Sequence, residues 1–186
     1  MRLGGLDLDN IIMEMCETKV YRELTLKNGG QMEEDDIVPP AIERMIRRRL
    51  RHTCEKAKMT LSIELNAMVR VEKIVGNHVV FNDHDFEMEI NRTDYEEAAQ
   101  EVFARLQEPV EKALEDAQMS KDEIDEIVIV GGSTRTPWVR QWLKDYFMVD
   151  DLNEGLNADE GVAYGAAIMA GIIANQLHMN SDKLEP

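Results

Sequence analysis

The sequence predicts an α/β fold in two parts, and three observations carry that expectation. Ile127-Val128-Ile129-Val130 is a run of four β-branched apolar residues, which reads as a strand buried on both faces rather than a half-exposed one. Residues 65–90 alternate instead. Ala67, Val69 and Val71 fall on one face and Phe86, Met88 and Ile90 on another, as in an antiparallel meander. Around these segments apolar residues recur near the helical period, as at Leu8, Ile11, Ile12, Met15 and Cys16.

Residues 1–26 open on a glycine pair and then turn helical. Residues 27–40 are polar and acidic, with Gly29-Gly30 and Pro39-Pro40, and read as an exposed loop. A long basic helix is expected over 41–62, with Pro40 where a helix starts. Gly76-Asn77 and the short run 78–81 complete the meander. Thr93 is expected to cap a long helix, with Glu96 as its capping-box partner. Phe103, Leu106, Val110 and Leu114 give that helix an apolar stripe, and Pro109 predicts a kink or break. The Ile127 strand follows, then a helix over 137–147, an acidic loop and a last helix over about 158–175. The division falls near Thr93: a helix-and-meander unit over 1–93 and an α/β unit over 94–186.

Composition bounds the function. A chain of 186 residues with 44% hydrophobic and 31% charged residues has the balance of a soluble globular protein that buries a substantial core. The formal net charge of -16 repels nucleic acid and anionic membranes. No apolar run approaches a membrane span, and the N-terminus lacks a signal-peptide core. Cys16 and Cys54, the only cysteines, lie in helix-like segments. They are expected as two buried thiols in a reducing compartment, with the cytoplasm as default.

The turn after the Ile127 strand is the first candidate site. Gly131 and Gly132 permit backbone angles barred to other residues and leave no Cβ before an approaching ligand. Ser133 and Thr134 can cap N–H groups of the following helix, and Pro137 suits its first turn. A strand that ends in a Gly-rich turn opening a helix often holds a nucleotide, and Arg135 could lie against a base or reach a phosphate. Taken alone, these residues leave two readings open: a ligand site, or a tight strand–helix connection.

The second candidate lies on the basic helix. Glu55, Lys58, Met59 and Ser62 stand at i, i+3, i+4 and i+7 and share one face. They could contact a ribose and a base, or form a solvated face with a Glu–Lys pair. Arg44, Arg47, Arg48, Arg49 and Arg51 make a local basic patch. Without aromatic interleaving or a nucleic-acid motif, it reads as a solvated face, or as a partner for acidic loops or an acidic protein. In the last helix, Asn157 is an N-cap candidate, Asp159 and Glu160 suit the positive end of the dipole, and Gly161, Gly165 and several alanines make it small-sided. His52, His78, His84 and His178 lack metal-ligand spacing and read as surface or turn residues. No nucleophile–base arrangement and no Walker loop is visible.

Taken together, these segments resemble the DnaK-type, seventy-kilodalton heat-shock chaperone family. The resemblance rests on Gly4-Gly5-x-Asp7-x-Asp9-Asn10, on Cys54-Glu55-Lys56-Ala57-Lys58-Met59-Thr60-Leu61-Ser62, on Glu108-Pro109-Val110-Glu111-Lys112-Ala113-Leu114, on the Ile127 strand and its turn, and on residues 156–167. Their order and spacing match over about residues 4–173. The resemblance implies an actin-like ATPase (ribonuclease H-like) fold, of which this chain is most of the second lobe. Residues 1–93 would be its outer subdomain, and 94–186 part of its inner one. It also implies that Glu55, Lys58 and Ser62 contact ribose and adenine, and that Gly131, Gly132, Ser133 and Arg135 line the other side of the nucleoside with Asp159 nearby. ATP or ADP is the implied ligand, with magnesium in the complete domain. The implied partners are the missing first lobe, nucleotide-exchange factors and J-domain co-chaperones.

This chain departs from the family pattern at Met59, where arginine is usual, and at Thr136, where isoleucine is usual. A thioether packs on an aromatic ring but supplies no cation–π contact, so weaker or altered adenine binding is expected. The phosphate-binding hairpin and catalytic lysine of a first lobe are missing. So is the Gly-rich phosphate loop expected before Gly4. The chain therefore reads as a piece of a longer protein and is not expected to turn over ATP alone. A docking module for exchange factors or co-chaperones is the alternative.

Overall fold

The computed structural model describes residues 4–27, 39–76, 84–155 and 157–181. The chain divides into two compact units, residues 1–113 and 114–186. The loop 28–38 and the run 78–81, with His78, lie outside the described residues.

In the first unit, helix α1 (Gly5–Lys27) packs on helix α2 (Pro40–Leu61), and α2 packs on strand β1 (Asn66–Val71) of a two-stranded sheet. Steps of three and four explain the helix contact. α2 buries Ile42, Ile46, Leu50, Cys54, Ala57 and Leu61, while α1 buries Leu8, Ile12, Cys16, Val20 and Leu24, so each presents one apolar stripe. Each large aliphatic side chain removed from water there contributes about 1.5–3 kcal/mol. Cys16 and Cys54 are free and buried. A hydrogen bond between the two thiols, with burial second, pushes the Cys16 thiol far up, so it stays neutral.

β1 pairs antiparallel with β2 (Phe86–Asn91) in a register that sets Ala67 against Ile90, Val69 against Met88 and Val71 against Phe86. Ala67, Val69, Phe86 and Ile90 are buried, so the alternation expected from sequence holds. On the wet face Arg70 Nη2 meets Glu87 Oε1 at 2.7 Å. His84 is not a surface residue. It is buried, and its Nε2 lies 2.8 Å from Glu23 Oε2.

The helix expected after Thr93 forms with two corrections. Its cap is Asn91, whose side chain accepts the Thr93 N–H at 2.7 Å. It is also three helices: α3 (Arg92–Ala98), α4 (Gln100–Ala104) and α5 (Gln107–Ala117). Pro109 explains the second break. In a continuous helix its ring would clash with the carbonyl four residues back, at Arg105, and the chain turns instead at Arg105 and Leu106. Pro109 then falls in the first turn of α5, where its missing N–H costs nothing.

In the second unit the Ile127 segment departs from expectation. Ile129 is buried, but Val128 and Val130 are 49% and 41% exposed. Its ladder among the described residues is a single parallel bridge, Val128 to Asn153. A β-branched run records what a strand can pack against, and here those faces stay uncovered. Helix α6 (Pro137–Phe147) has the expected bounds and carries Trp138, Trp142 and Tyr146 stacked in sequence. Helix α7 (Gly161–Ser181) starts slightly late, after a turn over 158–160, and its side chains from Val162 to Asn175 are all exposed. No helix of the described residues is long and apolar enough to cross a membrane.

Candidate functional site

The candidate residues form two clusters, one in each unit. In the first, the C-terminal turns of α2 place Glu55, Lys58 and Met59 on one face, with Ser62 just beyond the helix. Met59 is 62% exposed. Glu55 is also exposed, and it pairs with His52, whose Nδ1 lies 3.7 Å from Oε2. The Ser62 hydroxyl donates to the Lys58 carbonyl at 3.2 Å, which leaves its lone pairs free to accept.

Lys58 does not make the Glu–Lys pair that its spacing allows. Its Nζ lies 2.7 Å from Asp9 Oδ1 and donates to the Gly5 carbonyl at 3.1 Å, and both charged side chains are about five-sixths buried. The first turns of α1 therefore hold the ammonium. Tyr95 from α3 shares this interior; burial and then the Asp9 charge push its phenol up. Elsewhere on α2, Arg47 binds Glu17 and Glu43 and Arg49 donates to the Glu72 carbonyl, so part of the basic patch has acidic or carbonyl partners within the chain. Arg44, Arg48 and Arg51 are exposed.

The second cluster is the turn after Val130. Gly131 has φ of 95°, a conformation that strains any residue with a Cβ. Its N–H donates to the Ala158 carbonyl at 2.7 Å, and a Cβ there would meet nothing within 4 Å. The space beside Gly131 is open. A Cβ on Gly132 would stand 3.4 Å from Asp159 Oδ1. Residues Gly132–Arg135, including Ser133, form one 3-10 turn. The Thr134 hydroxyl turns back to the Gly131 carbonyl at 2.7 Å, and no side chain caps α6. The expected capping by Ser133 or Thr134 is therefore absent, because Thr136 is the residue that precedes the helix.

Arg135 and Asp159 meet although 24 residues separate them. Arg135 Nη2 lies 2.6 Å from Asp159 Oδ2, and the pair is more than half exposed. An exposed pair contributes at most about 1 kcal/mol to stability, so its effect here is on orientation. Asn157 is the hub: its Oδ1 accepts the Asp159 N–H at 3.1 Å and faces Arg135 Nη2 at 3.5 Å. Arg140 braces the turn from α6 by donating to the Thr134 carbonyl at 3.2 Å and pairing with Glu154.

Neither cluster holds a nucleophile beside a base. Among the described residues no three His, Cys, Asp or Glu side chains gather as for a metal ion. What the clusters offer is recognition: donors, acceptors, a thioether and a planar guanidinium. Sequence reasoning missed Asp9 as the partner of Lys58 and Asn157 as the hub under Arg135. The first could have been found from the acids spaced along the start of α1, which share a helix end with Gly5.

The family model for the Hsp70 protein matches residues 1–184. The chain belongs to the Hsp70 family. It is 42% identical over 171 residues to heat shock 70 kDa protein BIP3 of Oryza sativa, covering 92% of this chain and 23% of that one. It is 38% identical over 174 residues to a ribosome-associated molecular chaperone of Zygosaccharomyces rouxii, covering 94% and 25%. This Hsp70-family chain thus spans about a quarter of the length of these relatives. Membership implies an actin-like fold, with which the mixed helices and small antiparallel sheet agree.

Proposed function

We propose that this chain supplies the nucleoside-binding half of an ATP/ADP cleft, as the second lobe of an Hsp70 ATPase domain, and that it does not hydrolyse ATP alone. The observation that carries the reading is the Gly131 turn. A left-handed glycine with open space beside it leads directly into a planar cation, Arg135, which Asp159 and Asn157 hold in place. That arrangement suits a flat heterocycle: nothing stands between backbone and ring, and the guanidinium is oriented before the ligand arrives. In this reading Glu55, Lys58 and Ser62 contact ribose and adenine, and Met59 packs on the base. Residues 1–93 act as the outer subdomain and 94–186 as part of the inner one. Two free, buried thiols support a reducing compartment, the cytoplasm.

The alternative is a docking module for nucleotide-exchange factors or J-domain co-chaperones, favoured by the exposed Arg44, Arg48 and Arg51 on α2. Calorimetric titration of the chain with ADP, and separately with an exchange factor, distinguishes the two. Saturable heat with ADP supports the nucleoside reading. Heat with the exchange factor alone overturns it in favour of docking.

A further inference from the structure

The Lys58–Asp9 pair has a consequence for what Lys58 can recognise. A lysine on a surface helix is a mobile point charge suited to phosphate. Here its Nζ is fixed 2.7 Å from Asp9 Oδ1 and 3.1 Å from the Gly5 carbonyl, with the Lys58 side chain 16% exposed and that of Asp9 15%. Of the three N–H donors of an ammonium, one is given to the Gly5 carbonyl, and Asp9 holds the group by an ion-pair contact. Asp9 also cancels the charge, so the group presents a directed donor and no net positive field. Nearby acceptors are the exposed carboxylate of Glu55 and the lone pairs of Ser62, whose proton already points to the Lys58 carbonyl. A charge-compensated donor beside two acceptors matches hydroxyl groups, each of which both gives and takes a hydrogen bond. It does not match an anion.

We infer that Asp9 is a positioning and specificity-determining residue: it orders the Lys58 ammonium in advance and tunes this face for the hydroxyls of a ribose rather than for a phosphate. The inference rests on the nucleoside reading proposed above. Asp9 reaches the ligand only through Lys58, which would otherwise lose its side-chain freedom on binding.

Two measurements on the 186-residue chain test it. The first needs no ligand: acylation of amines by a water-soluble succinimidyl ester, followed by mass spectrometry. Lys56 is exposed and serves as the internal reference. Lys58 is expected to label more slowly than Lys56 in the wild type and to approach the Lys56 rate in Asp9→Asn. The second is the affinity ratio of ADP to 2′,3′-dideoxy-ADP. The wild type is expected to prefer ADP, Lys58→Met to lose the preference, and Asp9→Asn to lose about tenfold of it, the size of one charge-assisted hydrogen bond. Asp9→Glu keeps the charge and is expected to restore most of the ratio, which a purely structural role of Asp9 would not require; it also serves if the asparagine variant fails to fold. Equal labelling of Lys56 and Lys58 in the wild type overturns the positioning role whatever nucleotides do. Loss of the ratio in Lys58→Met with its retention in Asp9→Asn overturns positioning while leaving the nucleoside reading intact. A protected Lys58 with no preference for ADP in the wild type overturns the nucleoside reading, and the role of Asp9 in it.

Discussion

Glu17 and Arg47 form a two-point ion pair across the α1–α2 contact, with Nε 2.7 Å from Oε1 and Nη2 3.0 Å from Oε2. Glu17 is buried, whereas the Arg47 side chain is half exposed. The carboxylate thus depends on the guanidinium far more than the reverse. Arg47→Met is expected to destabilise the first unit by about 2–3 kcal/mol, because it strands a buried charge. Adding Glu17→Leu is expected to recover most of that loss. Urea unfolding of the four-membered mutant cycle measures both, and an additive cycle would refute the coupling.

The cap of α3 gives a sharp local test. Asn91→Ala removes the acceptor for the Thr93 N–H and is expected to cost about 1 kcal/mol. Thr93→Ala, at the position favoured by sequence pattern alone, is expected to change stability by less than about 0.5 kcal/mol. Comparable losses from the two substitutions would restore Thr93 as the cap.

Met59 bears on affinity. It is largely exposed on the α2 face, so an arginine fits there without repacking. In the complete ATPase domain Met59→Arg is expected to tighten ADP binding by about 0.5–2 kcal/mol through a cation–π contact with adenine. Calorimetry showing equal affinity for the two proteins would sink the idea that the thioether weakens the site.

One pH dependence follows from the turn at Ser120. The Ser120 backbone N–H and hydroxyl both donate to Glu123 Oε2, at 2.7 and 3.0 Å. These bonds, the backbone one first, hold the Glu123 carboxyl below its ordinary value. A depressed carboxyl stabilises the fold above the unfolded-state value, about 4.3 for glutamate, and that contribution is lost as pH falls through the lowered one. Carboxyl NMR should find Glu123 titrating below the ordinary glutamate value. Ser120→Ala should raise its midpoint toward that value.

The parts of this molecule legible in the sequence are those set by short-range pattern. α6 has its expected bounds: Pro137 starts it, and Met148, in a left-handed conformation, ends it. β1 and β2 were legible because alternation and burial coincide at Ala67, Val69, Phe86 and Ile90. Where two local signals competed, pattern did not decide. Asn91 and Thr93 are both good caps, and the end of β2 at Asn91 selected the first. Pro109 breaks the helix as its residue type predicts, but the break appears four residues earlier, where a continued helix would drive its ring into the Arg105 carbonyl. The site was legible as residue types on one α2 face and one glycine turn. Its organisation was not, because Lys58–Asp9 and Arg135–Asp159 are contacts between segments distant in the chain. Burial at Ile127–Val130 could not be read either, since it depends on neighbours that a β-branched run does not itself provide.

Buried side chains are unevenly distributed along this chain. From Leu8 to Phe103 they are dense, whereas past Ala113 only Ile129, Thr136 and Leu152 are buried among the described residues. Backbone hydrogen bonds surrounded by exposed side chains open by local fraying, while those under a packed core open only with the whole unit. The chain therefore keeps two clocks. In a pulse of deuterated water, amides of α7 should exchange early, and those beside Leu50 and Cys54 should wait for global opening.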